Sequence, residues 1–402
     1  MKPGSHYLVV PALWLLCIGA TRAQTGSIPN RPTLPVPLTP VIQVERPGAV
    51  RDFNVDAAQA RQMVNNALLK LTSASDIGTA WTRLGITPQD IVGIKIATAG
   101  GSVMSTHPAI VQAICDGLAA AGVPATHIII WDKLGNQMTS AGYPLRAASP
   151  GKPAIASVVP DNYDPEVYYR GWTTGNLMWG DYRFSNPSDD TDADSTRSYF
   201  AKFVTETCTK LINVPVLTDN SSVGINGCLS TLALGSIDNT RRLVGPPTFG
   251  TPAICEILFR NCFRRKTVVN ILDALVVQCA GGPAFDPQYC QSMGALYVSR
   301  DPVAIDSLVL PRLENMRQRM GVPLIGPAPV YYIKAATLFP CRILHPVPQI
   351  AISGGFKVAK LVFKQLREVF AVCLLSSQDW RLQNCQFRFY FPVSDYPKLR
   401  RF

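Results

Sequence analysis

The sequence predicts an α/β domain: a largely parallel or mixed sheet with flanking helices, an irregular aromatic insertion and a peripheral C-terminal annex. Three observations predict it. Short apolar runs alternate with helix-period segments between residues 55 and 320. One strand–helix–strand unit stands out near Ile91. Apolar residues make up 47% of the 402, enough to bury a large core.

A helix is expected over 55–71, where Ala58, Met63, Ala67 and Leu71 recur among polar residues. The run 91–96 reads as a strand. Thr106, His107 and Pro108 then open a helix through Ala121, with a capping residue before a proline that fits the first turn. Gly122 stops it, and 127–131 is a second apolar strand. This grammar implies a parallel pair with a right-handed crossover. Residues 144–186 are aromatic and turn-rich. Further on, 200–209 reads as a helix and 211–217 as a strand, interrupted or at an edge because of Pro215. A helix at 252–263 and strands at 267–272 and 295–299 follow. Asp301 and Pro302 cap and open a last helix, which ends near Gly321.

The organisation is read as four parts. Residues 1–23 form a signal peptide: Lys2 and His6 precede an apolar run over 7–20, and Thr21 and Ala23 place small residues before a cut at Gln24. That run is short for a membrane span, so the expectation is export to the periplasm or the extracellular space. A Pro- and Thr-rich lead-in covers 24–49, the α/β domain 50–340, and a basic annex or tail 341–402.

The formal charge of +11 is concentrated at the ends. Residues 341–402 hold 10 Lys/Arg and 3 Asp/Glu, and Lys2 and Arg22 belong to the leader, so 24–340 carries only +2. A broadly basic groove is not indicated, and no nucleic-acid partner is expected. The tail leaves membrane-surface contact as a secondary expectation. Eleven cysteines lie dispersed with no Cys-x-x-Cys, and there are four histidines, which speaks against a zinc finger or an iron–sulfur run. Cys279 and Cys290, flanking a Gly-Gly-Pro turn, are the best-placed disulfide pair. The acidic stretch 186–195 lacks the full helix–loop–helix calcium pattern.

Asp132, Asp219, Asp273 and Asp301 each follow or end an expected strand. In an open parallel sheet such positions line the ligand crevice, where converging carboxylates can bind a hard cation or divide acid and base roles. Capping a turn or helix explains Asp132, Asp273 and Asp301 equally well. Lys95 lies inside an apolar strand, so it needs a carboxylate or anionic ligand partner, or a route outward. His107 is a candidate base or a structural capping histidine. The loop from Thr98 to Ser102, with Gly100 and Gly101, offers backbone donors to an anion but matches neither nucleotide-loop motif.

The ordered set Ile91-Val92-Gly93-Ile94-Lys95, Thr106-His107-Pro108, the strand ending in Asp132, the run 211–217, Asp273, Gly281-Gly282-Pro283 and especially 298–306 resembles the domain of unknown function 362 family. The resemblance spans roughly 91–336 and implies an α/β domain. It implies no ferredoxin-like cluster module here, since that cysteine run is missing. Where the family carries a Lys-x-His element, this chain has Thr218-Asp219-Asn220; its later Lys–Asn pair is replaced near Ile237-Asp238-Asn239. The resemblance carries over Lys95, Asp273, Asp301 and Asp306.

The leading functional expectation is an exported enzyme acting on a small anionic or polar substrate with a divalent metal. Lys95, Asp132 and Asp273 are its candidate catalytic residues, and Asp219, Asp273, Asp301 and Asp306 its candidate metal ligands. The alternatives are a noncatalytic glycan- or protein-binding module using Tyr163, Tyr168, Tyr169, Trp172 and Trp179, or a structural family member that has lost activity.

Overall fold

All five residues of the run Val-Gly-Ile-Lys-Ile at 92–96 are buried, which requires cover on both faces of the sheet. The computed structural model describes residues 39–171, 196–338 and 350–352. Its first half contains β1 (Val41–Glu45), β2 (Val50–Arg51), β3 (Asn54–Val55), α1 (Ala57–Thr72), α2 (Ile77–Arg83), β4 (Val92–Ile96), α3 (Pro108–Ala120), β5 (Ile128–Asp132), α4 (Gly135–Ser140), β6 (Ala154–Ser157) and β7 (Tyr163–Tyr169). Then follow β8 (Ser198–Ala201), β9 (Lys210–Val214), β10 (Val216–Asn220), β11 (Gly224–Asn226), α5 (Cys228–Leu234), α6 (Ala253–Leu258), α7 (Asn261–Arg264), β12 (Thr267–Gln278), β13 (Cys290–Ser299), α8 (Pro302–Arg319), α9 (Tyr331–Leu338) and β14 (Ile350–Ile352).

The described residues form a ten-stranded mixed sheet in the order β14-β1-β13-β12-β9-β4-β5-β6, with β10 beside β12 and β11 beside β10. Strands β4, β5, β6, β9, β10 and β12 run parallel, whereas β13 is antiparallel to β12 and β1 antiparallel to β13. Side-chain alternation divides the core in two. Val92, Ile94 and Ile96 join Met63, Trp81, Ile110 and Ile114 of α1–α3 on one face. Trp131, Leu211, Leu272 and Tyr297 join Leu229, Ile254, Ile305 and Val309 of α5, α6 and α8 on the other. From the β4/β9 boundary the chain steps outward in opposite directions, with its connecting helices on opposite faces, as right-handed crossovers require. The boundary is therefore a topological switch point.

The expected helix and strand starts near Asp56, Val92, Pro108, Ile128 and Pro302 hold to within two residues. Asp56 caps α1 through Ala58 and Gln59, and Gly122 ends α3 with a φ of +85°. Pro215 splits 211–217 into two strands: β9 pairs with β4 and the first half of β12, and β10 with its second half.

Other expectations change. The helix expected at 200–209 is instead the end of β8 followed by a single π-helical turn over Phe203–Thr207. Non-local bonds hold it extended, since Tyr199 N donates to Asp238 Oδ1 and Ala201 N to Ser236 O. The sheet begins at Val41, inside the expected lead-in, and regains a strand at Ile350, inside the expected annex. Part of the aromatic insertion is also regular, because β6 extends the main sheet and β7 pairs with β8. Cys279 and Cys290 are both free thiols. Gln278, not Cys279, stands opposite Cys290, so the two cysteines face opposite layers.

The expected leader, the acidic stretch 186–195, Trp172, Trp179 and nearly all of 341–402 lie outside the described residues. Among the described residues no helix is long and apolar enough to cross a membrane.

Candidate functional site

A cleft of about 370 Å³ opens over the carboxyl ends of β4, β5, β10 and β12, at the switch point. Its wall includes Lys95, the Thr98–Gly100 backbone, Asp132, Lys133, Thr218, Asn220 and Gln278. The β4–α3 loop noted for its glycines is therefore part of the site. Thr106 fixes that loop: its hydroxyl donates to Val214 O at 2.6 Å and accepts from Ala97 N at 2.9 Å.

Lys95 is 1% exposed. Its ammonium donates to Asp132 Oδ1 at 2.8 Å and to Ile96 O at 2.7 Å, and it sits 5.5 Å from the Trp131 ring centroid. An ammonium has three N–H donors, so one remains uncommitted to any hydrogen bond among the described residues. Helix α5 ends directly over it. A Cβ added at Gly235 would lie 2.4 Å from Thr231 O and 2.7 Å from Lys95 Nζ, so the backbone carbonyl and the lysine together leave room only for glycine.

Asp132 is fully engaged. Oδ1 also accepts Lys133 N at 2.8 Å, and Oδ2 accepts both Thr98 N at 2.9 Å and Thr98 Oγ1 at 2.6 Å. With Lys95 this makes four donors for roughly four lone-pair sites. The carboxylate has little capacity left for a metal or an incoming proton; it positions Lys95 and the Thr98 loop.

The other acidic candidates serve separate helices and loops. Asp273, 0% exposed, accepts His107 N at 2.9 Å and pairs with His107 Nδ1 at 2.7 Å, while its Oδ1 accepts Leu275 N. It thus acts as the N-terminal carboxylate of α3, supplied from another strand. Burial pulls the His107 pKa down, but the charge of Asp273 and the hydrogen bond to it outweigh that and raise it. Asp306 accepts Cys228 N at 2.7 Å and Leu229 N at 2.9 Å. It takes the place of a side-chain cap for α5, and a Cβ on Gly227 would lie 2.5 Å from its Oδ1. Burial pushes its pKa up to about 7. Asp301 caps its own helix through Val303 and Ala304, and burial pushes it up to about 6. Asp219 points away from the cleft between Thr218 and Asn220, as strand alternation dictates. It accepts Gly282 N at 2.9 Å and lies 3.5 Å from Arg317, and burial raises its pKa.

The structure brings Lys95 and Asp132 together, then, but does not gather Asp219, Asp273, Asp301 and Asp306. Among the described residues no three His, Cys, Asp or Glu side chains converge on a point that could hold a metal ion. The donor set does not fit a resident metal. Asp301 is displaced for a topological reason: β13 is antiparallel, and Ser299 pairs with Asn270 near the start of β12, so the end of β13 lies away from the crevice. Of the aromatic candidates, Tyr163 and Tyr169 are buried in the core and form no exposed groove. The sequence reading missed Thr218, Asn220, Asn226 and Gln278 as cleft residues. The available signal was the position of Thr218 and Asn220, where the family pattern places lysine and histidine.

Fold and site together define an open α/β protein with a lysine-bearing crevice at its switch point. Residues 92–310, more than half the chain, match the family described as Domain of unknown function (DUF362), and the chain belongs to it. No curated protein matches the sequence. Similar solved structures include a Thermotoga maritima protein from the Northeast Structural Genomics Consortium, at 9% identity over 71% of this chain and 59% of that one, TM-score 0.33. Another is the lactate racemase apoprotein of Thermoanaerobacterium thermosaccharolyticum, at 12% identity over 59% and 51%, TM-score 0.32. The chain thus spans little more than half of either, and such distant likeness carries no argument about activity.

Proposed function

We propose that the chain binds and acts on a small anionic or polar molecule in the β4/β9 crevice, with Lys95 holding its negative charge. The observation that carries this reading is the Lys95 ammonium: it is buried, it lines the cleft, and one of its donors has no hydrogen-bond partner among the described residues. A charge removed from water is retained where a partner repays the desolvation, and Asp132 repays part of it. A ligand anion supplies a second partner in a site where electrostatic attraction is strong.

For turnover, Lys95 orients the substrate and neutralises its charge, while Asp132 and the Thr98 loop hold the ammonium in place. A divalent ion would enter with the substrate's own oxygens, because Asp132 is the only carboxylate on the cleft wall among the described residues.

The test is calorimetric titration of the purified protein with sodium acetate and inorganic phosphate. The comparison is Lys95→Gln/Asp132→Asn, which removes both charges and leaves no unpaired ion. Wild type is expected to bind at least one probe about tenfold tighter than the double variant. Equal binding by both proteins, or none by wild type, overturns the reading.

We further propose that this site works outside the cytoplasm. The support is the leader pattern at 1–23. N-terminal sequencing of protein recovered outside the cytoplasm is expected to start at Gln24; a retained leader, or an exclusively cytoplasmic chain, overturns it.

A further inference from the structure

Phe285 is 42% exposed, yet it stands on a tightly held loop. Gln278, itself 2% exposed, brackets it: its amide Nε2 donates to Ala284 O at 2.8 Å, and its Oε1 accepts Asp286 N at 2.9 Å. The residues immediately before and after the phenylalanine are thus fastened by one buried side chain. The same loop is tied upstream, where Gly282 N donates to Asp219 Oδ1 at 2.9 Å and Ser221 N donates to Gly282 O at 3.2 Å. Arg317 Nη1 adds a bond to Cys279 O at 2.6 Å.

An aromatic ring that water reaches gains little stability for the fold. The buried amide fixes the backbone on either side of the ring, so the ring is presented at the cleft wall, where a bound molecule can cover it. Phe285 lines the same cleft as Lys95, with Pro283 beside it and Val223 and Val244 elsewhere on the wall. The cleft combines a fixed positive group with fixed apolar surface, the composition of a site for an amphipathic small molecule.

We infer that Phe285 is the specificity-determining residue of the crevice, the wall against which the flat apolar part of a small anion lies while Lys95 holds its charged group. The ligand class is an aryl-bearing carboxylate or phosphate. This rests on the anion-site reading of the cleft. It also accounts for Asp219 and Gln278, which both fix the Phe285 loop.

Calorimetry with two matched pairs tests it: acetate against phenylacetate, and inorganic phosphate against phenyl phosphate. The pairs separate a carboxylate head from a phosphate head. In wild type, at least one phenyl compound should bind about tenfold tighter than its bare anion, the scale of one well-placed aromatic contact. Phe285→Ala should abolish that gain without changing the affinity for the bare anion, and Phe285→Trp should retain it. Because the ring is exposed, an unchanged melting temperature in both variants confirms intact folding. If the bare anions bind but the phenyl group adds nothing, or Phe285→Ala keeps the gain, the inference is overturned and the anion site stands. If none of the four probes binds, the anion site itself fails and the inference falls with it.

Discussion

Asp132 and Asp306 are two buried aspartates on opposite sides of α5, and their surroundings could hardly differ more. Asp132 sits near the carboxyl-terminal end of the helix, where Lys95 meets it under Gly235. Asp306 sits under the amino-terminal end, where it meets two backbone N–H groups and no cation among the described residues. A helix dipole favours a cation at its C-terminus and an anion at its N-terminus, so α5 suits Lys95 at one end and Asp306 at the other. Only the first arrangement leaves a donor facing a cleft. The second is closed on all sides and serves the scaffold.

The sharpest way to break this contrast is Lys95→Met. It strands Asp132 as a buried unpaired charge, and about 3–5 kcal/mol of stability should be lost in urea denaturation. A loss below about 1 kcal/mol would mean that Asp132 reaches water on its own.

Asp306→Ala comes next. Two buried N–H groups lose their acceptor, at a cost of about 2–4 kcal/mol, and ligand affinity at Lys95 should not move. A smaller effect belongs to pH. Asp306, raised to about 7, and Asp301, raised to about 6, bind protons more tightly folded than unfolded. Their contribution to stability is complete below about pH 4, near the unfolded value, and is lost as pH rises through those folded values. His107, also raised, has its contribution complete below its unfolded value of about 6.5 and loses it as pH rises through the higher folded one. All three act in one direction, each with a slope of at most about 1.4 kcal/mol per pH unit. The melting temperature should therefore be higher at pH 5.5 than at pH 8, and Asp306→Asn should flatten the difference. Asp76, lowered by its Thr79 hydrogen bonds, opposes this only in more acidic solution, where pH falls through its depressed value. A melting temperature that rises between pH 5.5 and 8 contradicts the assignment.

The β4–α3–β5 unit was legible because its signals are local: an apolar run, a cap with proline, and a glycine stop. Lys95 was legible for the same reason, since a charge within an apolar run stands out. What escaped was decided by distant segments. Nothing within 295–301 reveals that β13 runs antiparallel, yet that direction sends Asp301 away from the crevice. The loop from Thr98 was read for its backbone donors, but the Thr98 hydroxyl and Gln278 escaped because hydroxyls and amides are common on any loop or strand end; their partners, Asp132 and the residues beside Phe285, give them meaning. The acidic residues were misjudged as one group because the sequence shows where carboxylates occur but not which backbone N–H groups already occupy them.

The placement of β1 has a consequence for how the chain reaches its native state. Val44 pairs with Leu296, and Gln43 with both Tyr297 and Ile352. Among the described residues, the first strand to emerge from the ribosome must therefore wait for some of the last, while β4, α3 and β5 can associate early. Such long-range closure is slow, because the chain loses loop entropy before the contact forms. Until then β13 offers an open edge to any extended segment nearby. Early release of a chain ending before residue 290 would leave β1 with no strand to join.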